Sequence, residues 1–134
     1  MIYLDSSALL KLLIEEPESA ALATWLAERS DDPPVSSELA RLEVVRAARR
    51  LDPNIATSAR SLISQLDLIP TDSVLINEAA DAGKPLLRSL DAIHLASALS
   101  IRADLTAFVA YDDRLVSAAE AEGLHVSRPG VAVS

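Results

Sequence analysis

The 134-residue chain has the length of a single domain, and half of its residues are hydrophobic while only 3% are aromatic, so its core must be built from aliphatic side chains. It contains no cysteine, which excludes disulfides, thiolate zinc sites and a cysteine nucleophile. The net charge of −8 by itself argues against a nucleic-acid partner, because binding to phosphates favours basic surfaces. Net charge does not show where the acids lie, however, and a bound metal ion reverses the sign of an acidic pocket.

Short apolar runs alternate with longer helical segments along the chain. In chain order the predicted elements are a strand over residues 2–4, helices over 7–14 and 18–29, a strand over 35–36, helices over 38–51 and 55–65, a strand over 66–69, helices over 72–82 and 90–102, a strand over 107–111, a helix over 113–122 and a strand over 124–126. This alternation is typical of βαβ units. We therefore expect an α/β fold with a mainly parallel sheet covered by helices on both faces.

The organisation of the chain predicts one domain over residues 1–128 and a flexible tail over 129–134, because no linker, repeat or low-complexity tract interrupts it. No basic region followed by a long apolar core stands at the N-terminus, and no apolar run is long enough to cross a bilayer. We expect a cytoplasmic protein with no membrane partner.

Four carboxylates are candidates for chemistry. Asp5 and Asp112 each follow an apolar strand and precede a helix, in the segments MIYLDSSAL and AFVAYDDRL. Asp91 lies in the first turn of an almost wholly apolar helix, LRSLDAIHLASAL, and Glu43 lies in mid-helix among apolar neighbours. In a parallel sheet, ligands bind beyond the carboxyl ends of the strands, so the two strand-end aspartates are placed where chemistry is expected.

Each of these acids also has a simpler explanation. The aspartates could be helix N-caps or partners of a helix dipole. Glu43 could form an ion pair at helical spacing with Arg46 or Arg50. His94, between two apolar residues of its helix, is better explained as a hydrogen-bonded core histidine than as a ligand.

Taken in order, the segment LDSSALLKL, the mid-helix Glu43, the segment LDAIHLASAL and the segment YDDRL resemble the PIN-domain family. Within it, the chain resembles the small VapC-type toxins of toxin–antitoxin pairs, from its first residue to about residue 126. The resemblance implies a three-layer α/β/α domain with a short, mainly parallel central sheet. It also implies an endoribonuclease dependent on Mg²⁺ or Mn²⁺ that cleaves RNA as the toxin of a type II pair.

The resemblance carries roles onto individual residues. It implies that the catalytic acids are Asp5, Glu43, Asp91 and Asp112. Metal ligation is expected from three of them, Asp5, Asp91 and Asp112, with support from three neighbours, Ser7, Ser6 and Asp113. Asp112 is favoured over Asp113 as the fourth acid because it directly follows the predicted strand.

The residue types agree with this chemistry. Carboxylates that converge in a crevice repel one another, and a hard divalent cation both relieves that repulsion and activates a water for attack on a phosphate. Four basic residues close to the acids in sequence are candidate contacts to RNA phosphates: Arg46, Arg50, Arg88 and Arg114. The expected partners are a cognate antitoxin, with Trp25 as the candidate contact, and a second copy of the chain in a homodimer.

Two other functions stay open. The first is a PIN fold that has lost catalysis and acts only as a binding module. The second is a receiver-like domain that accepts a phosphoryl group, since Lys84 and Pro85 match the Lys-Pro pair that ends the fifth strand of that fold. A divalent-metal titration separates the first from an active nuclease, and phosphorylation of an aspartate by acetyl phosphate would support the second.

Overall fold

The computed structural model describes residues 1–132 and contains one five-stranded parallel sheet in the order β3-β2-β1-β4-β5. Its strands are β1 (Ile2–Leu4), β2 (Pro34–Ser37), β3 (Asp67–Ile69), β4 (Ala107–Val109) and β5 (Val126–Ser127). The helices are α1 (Ser6–Lys11), α2 (Ser19–Ala27), α3 (Glu38–Leu51), α4 (Pro53–Ser64), α5 (Ser73–Asp81), α6 (Ser89–Ser100) and α7 (Asp113–Ala121). The predicted α/β class with a parallel sheet is confirmed.

Side chains alternate between the two faces of the sheet, as strand geometry requires. Ile2 and Leu4 of β1 enter a core cluster with residues of α1, α2, α3 and α4. Tyr3 points to the other side, where it stacks on Phe108 in a second cluster with α6 and α7. Helices therefore cover both faces of the sheet, which completes the three layers.

Two predicted helix boundaries were wrong for reasons of capping. Asp52 ends α3, and its side chain also accepts a hydrogen bond from the Asn54 amide, so that α4 begins directly at Pro53 rather than at residue 55. Proline suits this first helical position because its missing N–H would have no partner there. Ser89 does not cap α6; the N-cap residue is Arg88, which makes no side-chain capping bond.

The end of β4 also differs from the prediction. The strand stops at Val109, so that Asp112 follows it by three residues rather than directly. Asp112 still begins a helix, because its side chain accepts the amide hydrogens of Arg114 and Leu115 at the start of α7.

The predicted flexible tail, 129–134, is only partly covered by the structure, since residues 133 and 134 lie outside the described range. Within that range Tyr111 donates a hydrogen bond from its hydroxyl to the Pro129 carbonyl at 2.8 Å. Gly130 has a φ of +90° and lies close to Glu18, so that a Cβ added at residue 130 would be 3.0 Å from the Cα of Glu18. The mobility of this segment stays a prediction. No helix within residues 1–132 has both the length and the apolar character needed to cross a membrane.

The strand order positions the site. Chain connections run from β1 to β2 and β3 on one side and then cross to β4 and β5 on the other. The order therefore reverses between β1 and β4, and the crevice outside the carboxyl ends of these two strands is where α/β proteins bind ligands. Asp5 follows β1 and Asp112 follows β4, which puts both at this point.

Candidate active site

Acidic residues from several elements meet at the reversal point of the sheet. Asp5 caps α1, Asp112 caps α7 and Asp91 lies in the first turn of α6. Helix N-termini carry partial positive charge, which favours an acidic residue where a helix begins. Glu43 reaches the same region from the middle of α3, where it contacts His94 of α6.

Asp5 is a buried carboxylate, only 4% exposed. One of its oxygens, Oδ1, accepts hydrogen bonds from the Ser7 hydroxyl at 2.7 Å and from the Ala8 amide at 2.9 Å. Among the described residues no hydrogen bond goes to Oδ2. Burial raises the pKa of Asp5, opposed by the nearby His94 and by these hydrogen bonds, and the charge of Asp91 raises it further. The ionised form is therefore costly here, and a cation at Oδ2 would lower that cost.

Ser7 connects the ends of two strands as well as supporting Asp5. Its hydroxyl donates to Asp5 and accepts a hydrogen bond from the Tyr111 amide at 3.2 Å. The segment that follows β1 is thus tied to the segment that follows β4. Replacing Ser7 by a residue without a hydroxyl would loosen both of these segments.

Arg88 joins the other two aspartates. Its Nε donates to Asp91 Oδ2 at 2.9 Å, and its Nη2 lies 3.5 Å from Asp112 Oδ2. Asp112 uses its other oxygen, Oδ1, for the backbone amides at the start of α7. The guanidinium thus stands between two carboxylates that belong to different helices.

Glu43 has different partners from those suggested by helical spacing. Its Oε1 accepts hydrogen bonds from the Ser6 hydroxyl at 2.6 Å and from His94 Nε2 at 2.8 Å. Within residues 1–132 neither Arg46 nor Arg50 forms a salt bridge with it, so that simpler explanation was wrong. Burial acts to raise the pKa of Glu43, but the hydrogen bonds from His94 and Ser6 together with nearby positive charge, including that of Arg88, outweigh it and the net pKa is lowered.

His94 belongs to the core, as the sequence predicted, and it also reaches the site. It is 2% exposed, and its Nδ1 lies 2.7 Å from the hydroxyl of the buried Tyr3. When Tyr3 donates to Nδ1, the neutral ring donates from Nε2 to Glu43. His94 therefore holds the Glu43 carboxylate in place. The sequence offered only one sign of this role, a histidine three residues after Asp91 and so on a neighbouring face of α6.

The remaining predicted site residues are exposed. Asp113 is 89% exposed on its side chain and pairs with Arg128 at 2.8 Å, whereas the partner of Asp112 is Arg88. Arg46 and Arg50 are exposed on α3, and they follow Glu43 by three and seven residues, which puts all three on one side of that helix. Arg114 is exposed in the first turn of α7.

Asp5, Asp91 and Asp112 are the residues with the chemistry to hold a metal ion, because hard divalent cations prefer carboxylate oxygens. Within residues 1–132, no group of three or more acidic, histidine or cysteine side chains surrounds a common ion position. Arg88 lies between two of these carboxylates, those of Asp91 and Asp112. The carboxylates are therefore the kind of ligand that a divalent cation prefers. The place between Asp91 and Asp112 is taken by the guanidinium of Arg88, which is positively charged, as the cation would be.

A cavity lies elsewhere in the fold. It has a volume of about 600 Å³ and is lined by residues of α5, α6 and the loop between them, including Ile76, Lys84 and Ile93. None of the four acids lines it. Lys84 is exposed in that loop and does not end a strand, which removes the feature that suggested a receiver-like domain.

Comparison with known proteins agrees with the fold. The family model for the PIN domain matches residues 2–121. The chain is 45% identical over 133 residues to "Ribonuclease VapC47" of Mycobacterium tuberculosis, covering 97% of this chain and 98% of that protein. It is 46% identical over 134 residues to "Ribonuclease VapC35" of the same species, with 98% and 99% covered. The chain belongs to the PIN-domain family, as a VapC-type member.

Solved structures show the same fold at low sequence identity. The Mycobacterium tuberculosis toxin VapC20, described as cleaving the sarcin–ricin loop, matches with a TM-score of 0.75 at 16% identity, over 96% of this chain and all of that one. VapBC2 of Rickettsia felis, bound to a DNA fragment from its promoter, matches with a TM-score of 0.72 at 11% identity, over 96% and 99%. The three-layer PIN architecture predicted from the sequence is therefore confirmed.

Proposed function

We propose that this chain is a divalent-metal-dependent endoribonuclease and the toxin of a type II toxin–antitoxin pair. The observation that carries the proposal is the meeting of Asp5, Glu43, Asp91 and Asp112 at the reversal point of a PIN-fold sheet. Its relatives at 45% and 46% identity are named ribonucleases. A cluster of acids without a cysteine nucleophile suits hydrolysis of a phosphodiester by water.

Asp5, Asp91 and Asp112 would hold Mg²⁺ or Mn²⁺, since each has an oxygen that is not used by a backbone amide. When bound, such an ion lowers the pKa of a water and stabilises negative charge on the phosphate. Ser7 and the Ala8 amide fix Asp5 Oδ1, so Oδ2 would be the oxygen of Asp5 that contacts the ion.

Glu43 is suited to orient the attacking water. Its lowered pKa keeps it ionised, because the hydrogen bonds from His94 and Ser6 and the nearby positive charge of Arg88 together outweigh its partial burial. An ionised carboxylate accepts hydrogen bonds only, so it can hold a water by one of the water's protons. His94 and Ser6 are positioning residues in this scheme, because they act through Glu43.

RNA would be held by the basic residues at the edge of the crevice. Arg46 and Arg50 extend along α3 from Glu43, and Arg114 lies on α7 two residues after Asp112. None of these three arginines forms a salt bridge within residues 1–132, so their charges are available for phosphates. The acidic remainder of the molecule opposes non-specific binding, which favours a selective nuclease.

A protein antitoxin is the proposed regulator. Structural neighbours include the toxin–antitoxin assemblies VapBC2 of Rickettsia felis and FitAB, the latter bound to a DNA fragment. We propose that a cognate antitoxin covers the acidic crevice, that the toxin forms a homodimer, and that the pair acts in the cytoplasm on cellular RNA.

The test is a pulse of expression followed by sequencing of new RNA 5′ ends, together with cleavage by the purified protein. Cleavage at defined sites that requires Mg²⁺ or Mn²⁺, stops with a chelator and is absent from Asp5→Asn would support the proposal. Cleavage that persists with chelator would overturn the metal-dependent mechanism. A protein that binds its antitoxin but never cleaves RNA would instead be an inactive PIN-fold binding module.

A further inference from the structure

Arg88 is the one basic residue that contacts two of the candidate metal ligands within residues 1–132. It precedes α6, and its side chain crosses to α7, so that its two partners come from different helices. Both contacts use the Oδ2 atoms of the aspartates, and in Asp112 this is the oxygen left free by the backbone amides. The guanidinium therefore lies against one oxygen of each aspartate, and in Asp112 this is the oxygen that a metal ion would need.

The Arg88 guanidinium contacts the two aspartates at the surface, where a competing cation can displace it. Its hydrogen bond to Asp91, with the charges of Asp91 and Asp112, raises the pKa of Arg88. Yet the Arg88 side chain is 62% exposed, and exposed ion pairs of this kind contribute little to stability. A divalent cation brings twice the charge to the same carboxylates and can replace it.

We propose that Arg88 is the counter-ion of the metal-free site, that a divalent cation displaces its guanidinium from Asp91 and Asp112, and that the released guanidinium then binds a phosphate of the RNA. The inference rests on the proposed function, since it assumes a metal-dependent nuclease. It adds an order of events to that function: the residue that closes the site is the one that later contacts the substrate.

Each half of the exchange has a physical reason. The guanidinium and the cation compete for the same two carboxylates and repel each other at this short range, so the cation displaces the guanidinium. A guanidinium freed of its carboxylates keeps its charge, because arginine does not lose its proton in proteins. Its planar set of donors matches phosphate oxygens as well as it matches carboxylates.

Calorimetry of Mn²⁺ binding to the purified protein without RNA tests whether Arg88 competes with the cation as the counter-ion of the site. Arg88→Gln removes the competing charge and should bind Mn²⁺ about tenfold more tightly than the wild type at low salt. Arg114→Gln makes the same change of charge close to Asp112 but breaks no contact to the acids within residues 1–132, and it should change the affinity by less than about twofold.

A direct measurement of the displacement uses the Nε–H resonance of Arg88 in the wild-type protein. In the metal-free form this proton is hydrogen-bonded to Asp91 and should be slowed in its exchange with water. Titration with Mg²⁺ should return it to the position and exchange rate of an exposed arginine, with the same midpoint as metal binding. A resonance that keeps its protection at saturating Mg²⁺ would overturn the exchange.

If the released guanidinium binds an RNA phosphate, replacing Arg88 should have opposite effects on metal affinity and on the rate of cleavage. Arg88→Gln should bind Mn²⁺ more tightly and yet cleave RNA at least about tenfold more slowly at saturating metal, because glutamine cannot replace the guanidinium at the phosphate. Unchanged cleavage would overturn the substrate role. Equal Mn²⁺ affinity in wild type and Arg88→Gln would overturn the counter-ion role alone, whereas no Mn²⁺ binding by either protein would overturn the proposed metal dependence with it.

Discussion

Asp5 and Asp112 divide their two carboxylate oxygens between a structural and a chemical task. In each, Oδ1 accepts the amides at the start of a helix. In Asp112 the second oxygen faces Arg88, and in Asp5 it has no hydrogen bond among the described residues. The explanation of these residues as caps and their explanation as candidate ligands are therefore compatible. Capping holds the carboxylate rigid, which a metal ligand requires.

Asp5→Asn should separate these tasks. The amide oxygen can still accept from Ser7 and Ala8, so the cap survives while the buried charge is removed. Because burial raises the folded-state pKa of Asp5, the native state is favoured below the carboxyl's ordinary pKa and loses that advantage as pH rises through the folded value. We expect the variant to be more stable at pH 7 by roughly 1 kcal/mol and to lose its cleavage activity.

Thermal unfolding of wild type and Asp5→Asn at several pH values checks the first part. The difference in stability should shrink as the pH falls toward the range in which free carboxylates protonate. A variant that is less stable at pH 7 would show that the buried charge is already compensated. Cleavage of RNA by Asp5→Asn at the wild-type rate would contradict its role as a ligand.

Asp112 and Asp113 offer a matched pair for the fourth acid. Asp112 faces Arg88, whereas Asp113 faces Arg128. Asp112→Asn keeps the cap of α7, which alanine would remove at a cost of about 1 kcal/mol. We expect Asp112→Asn to lose cleavage about 100-fold or more and Asp113→Asn to stay within about twofold of the wild type. Equal losses in the two variants, measured at saturating metal, would mean that both carboxylates are used.

Helix α3 brings acid and base together on a single element. Its buried side holds Ala40, Val44 and Ala48 against the sheet, while its polar edge presents Glu43 and then arginines. Three- and seven-residue spacing puts those arginines on the same side as Glu43. One helix can thus supply both a carboxylate for the site and a basic track that leads away from it, in a chain whose net charge is −8.

Replacing Arg46 and Arg50 together by glutamine should weaken RNA binding, because neither side chain could then pair with a phosphate. For two phosphates no longer neutralised, the slope of log affinity against log salt should fall by about 1.4 for a single strand. The control is the double variant Arg41→Gln with Arg60→Gln, which makes an equal change of charge on α3 and α4. Both of these arginines line a pocket that does not include Glu43. If the two double variants change the salt slope equally, binding depends on net charge and not on a track beside Glu43.

At the scale of the whole molecule, Trp25 and Leu86 are apolar residues in very different surroundings. Trp25 of α2 is partly buried against the first core cluster, and Arg29 lies over its ring at 4.1 Å from the centroid. Leu86, in the loop before α6, is 92% exposed. Of the other apolar residues in the first two helices, Leu9 and Leu22 are fully buried and belong to the core.

Trp25→Ala should weaken binding of the antitoxin about tenfold or more, because a large aromatic at an interface carries much of the binding energy. Leu86→Ala removes a more exposed apolar side chain elsewhere and should leave the affinity unchanged. Affinities of the two variants for the co-expressed antitoxin, measured beside their thermal stabilities, distinguish removal of an interface residue from partial unfolding. Wild-type affinity in a folded Trp25→Ala protein would place the antitoxin on another surface.

The order of strands and helices, and the acids that end or begin them, could be predicted from the sequence. These features are local: alternation of apolar runs, capping residues and the segments LDSSALLKL and LDAIHLASAL can be recognised within a few turns of chain. The class of fold followed from them, because parallel strands need helical crossovers. Boundaries were less accurate where one residue serves two elements, as Asp52 does between α3 and α4.

The partner that each acid takes depends on tertiary packing and could not be predicted in this way. Glu43 pairs with His94, 51 residues away, rather than with an arginine on its own helix, and Arg88 reaches Asp112 on a different helix. Helical spacing limits the possible neighbours on one element, but it contains no information about the element packed against it. That choice depends on the strand order, which brings the starts of α1, α6 and α7 to one edge of the sheet, so contacts between distant residues determine the charge balance of the site.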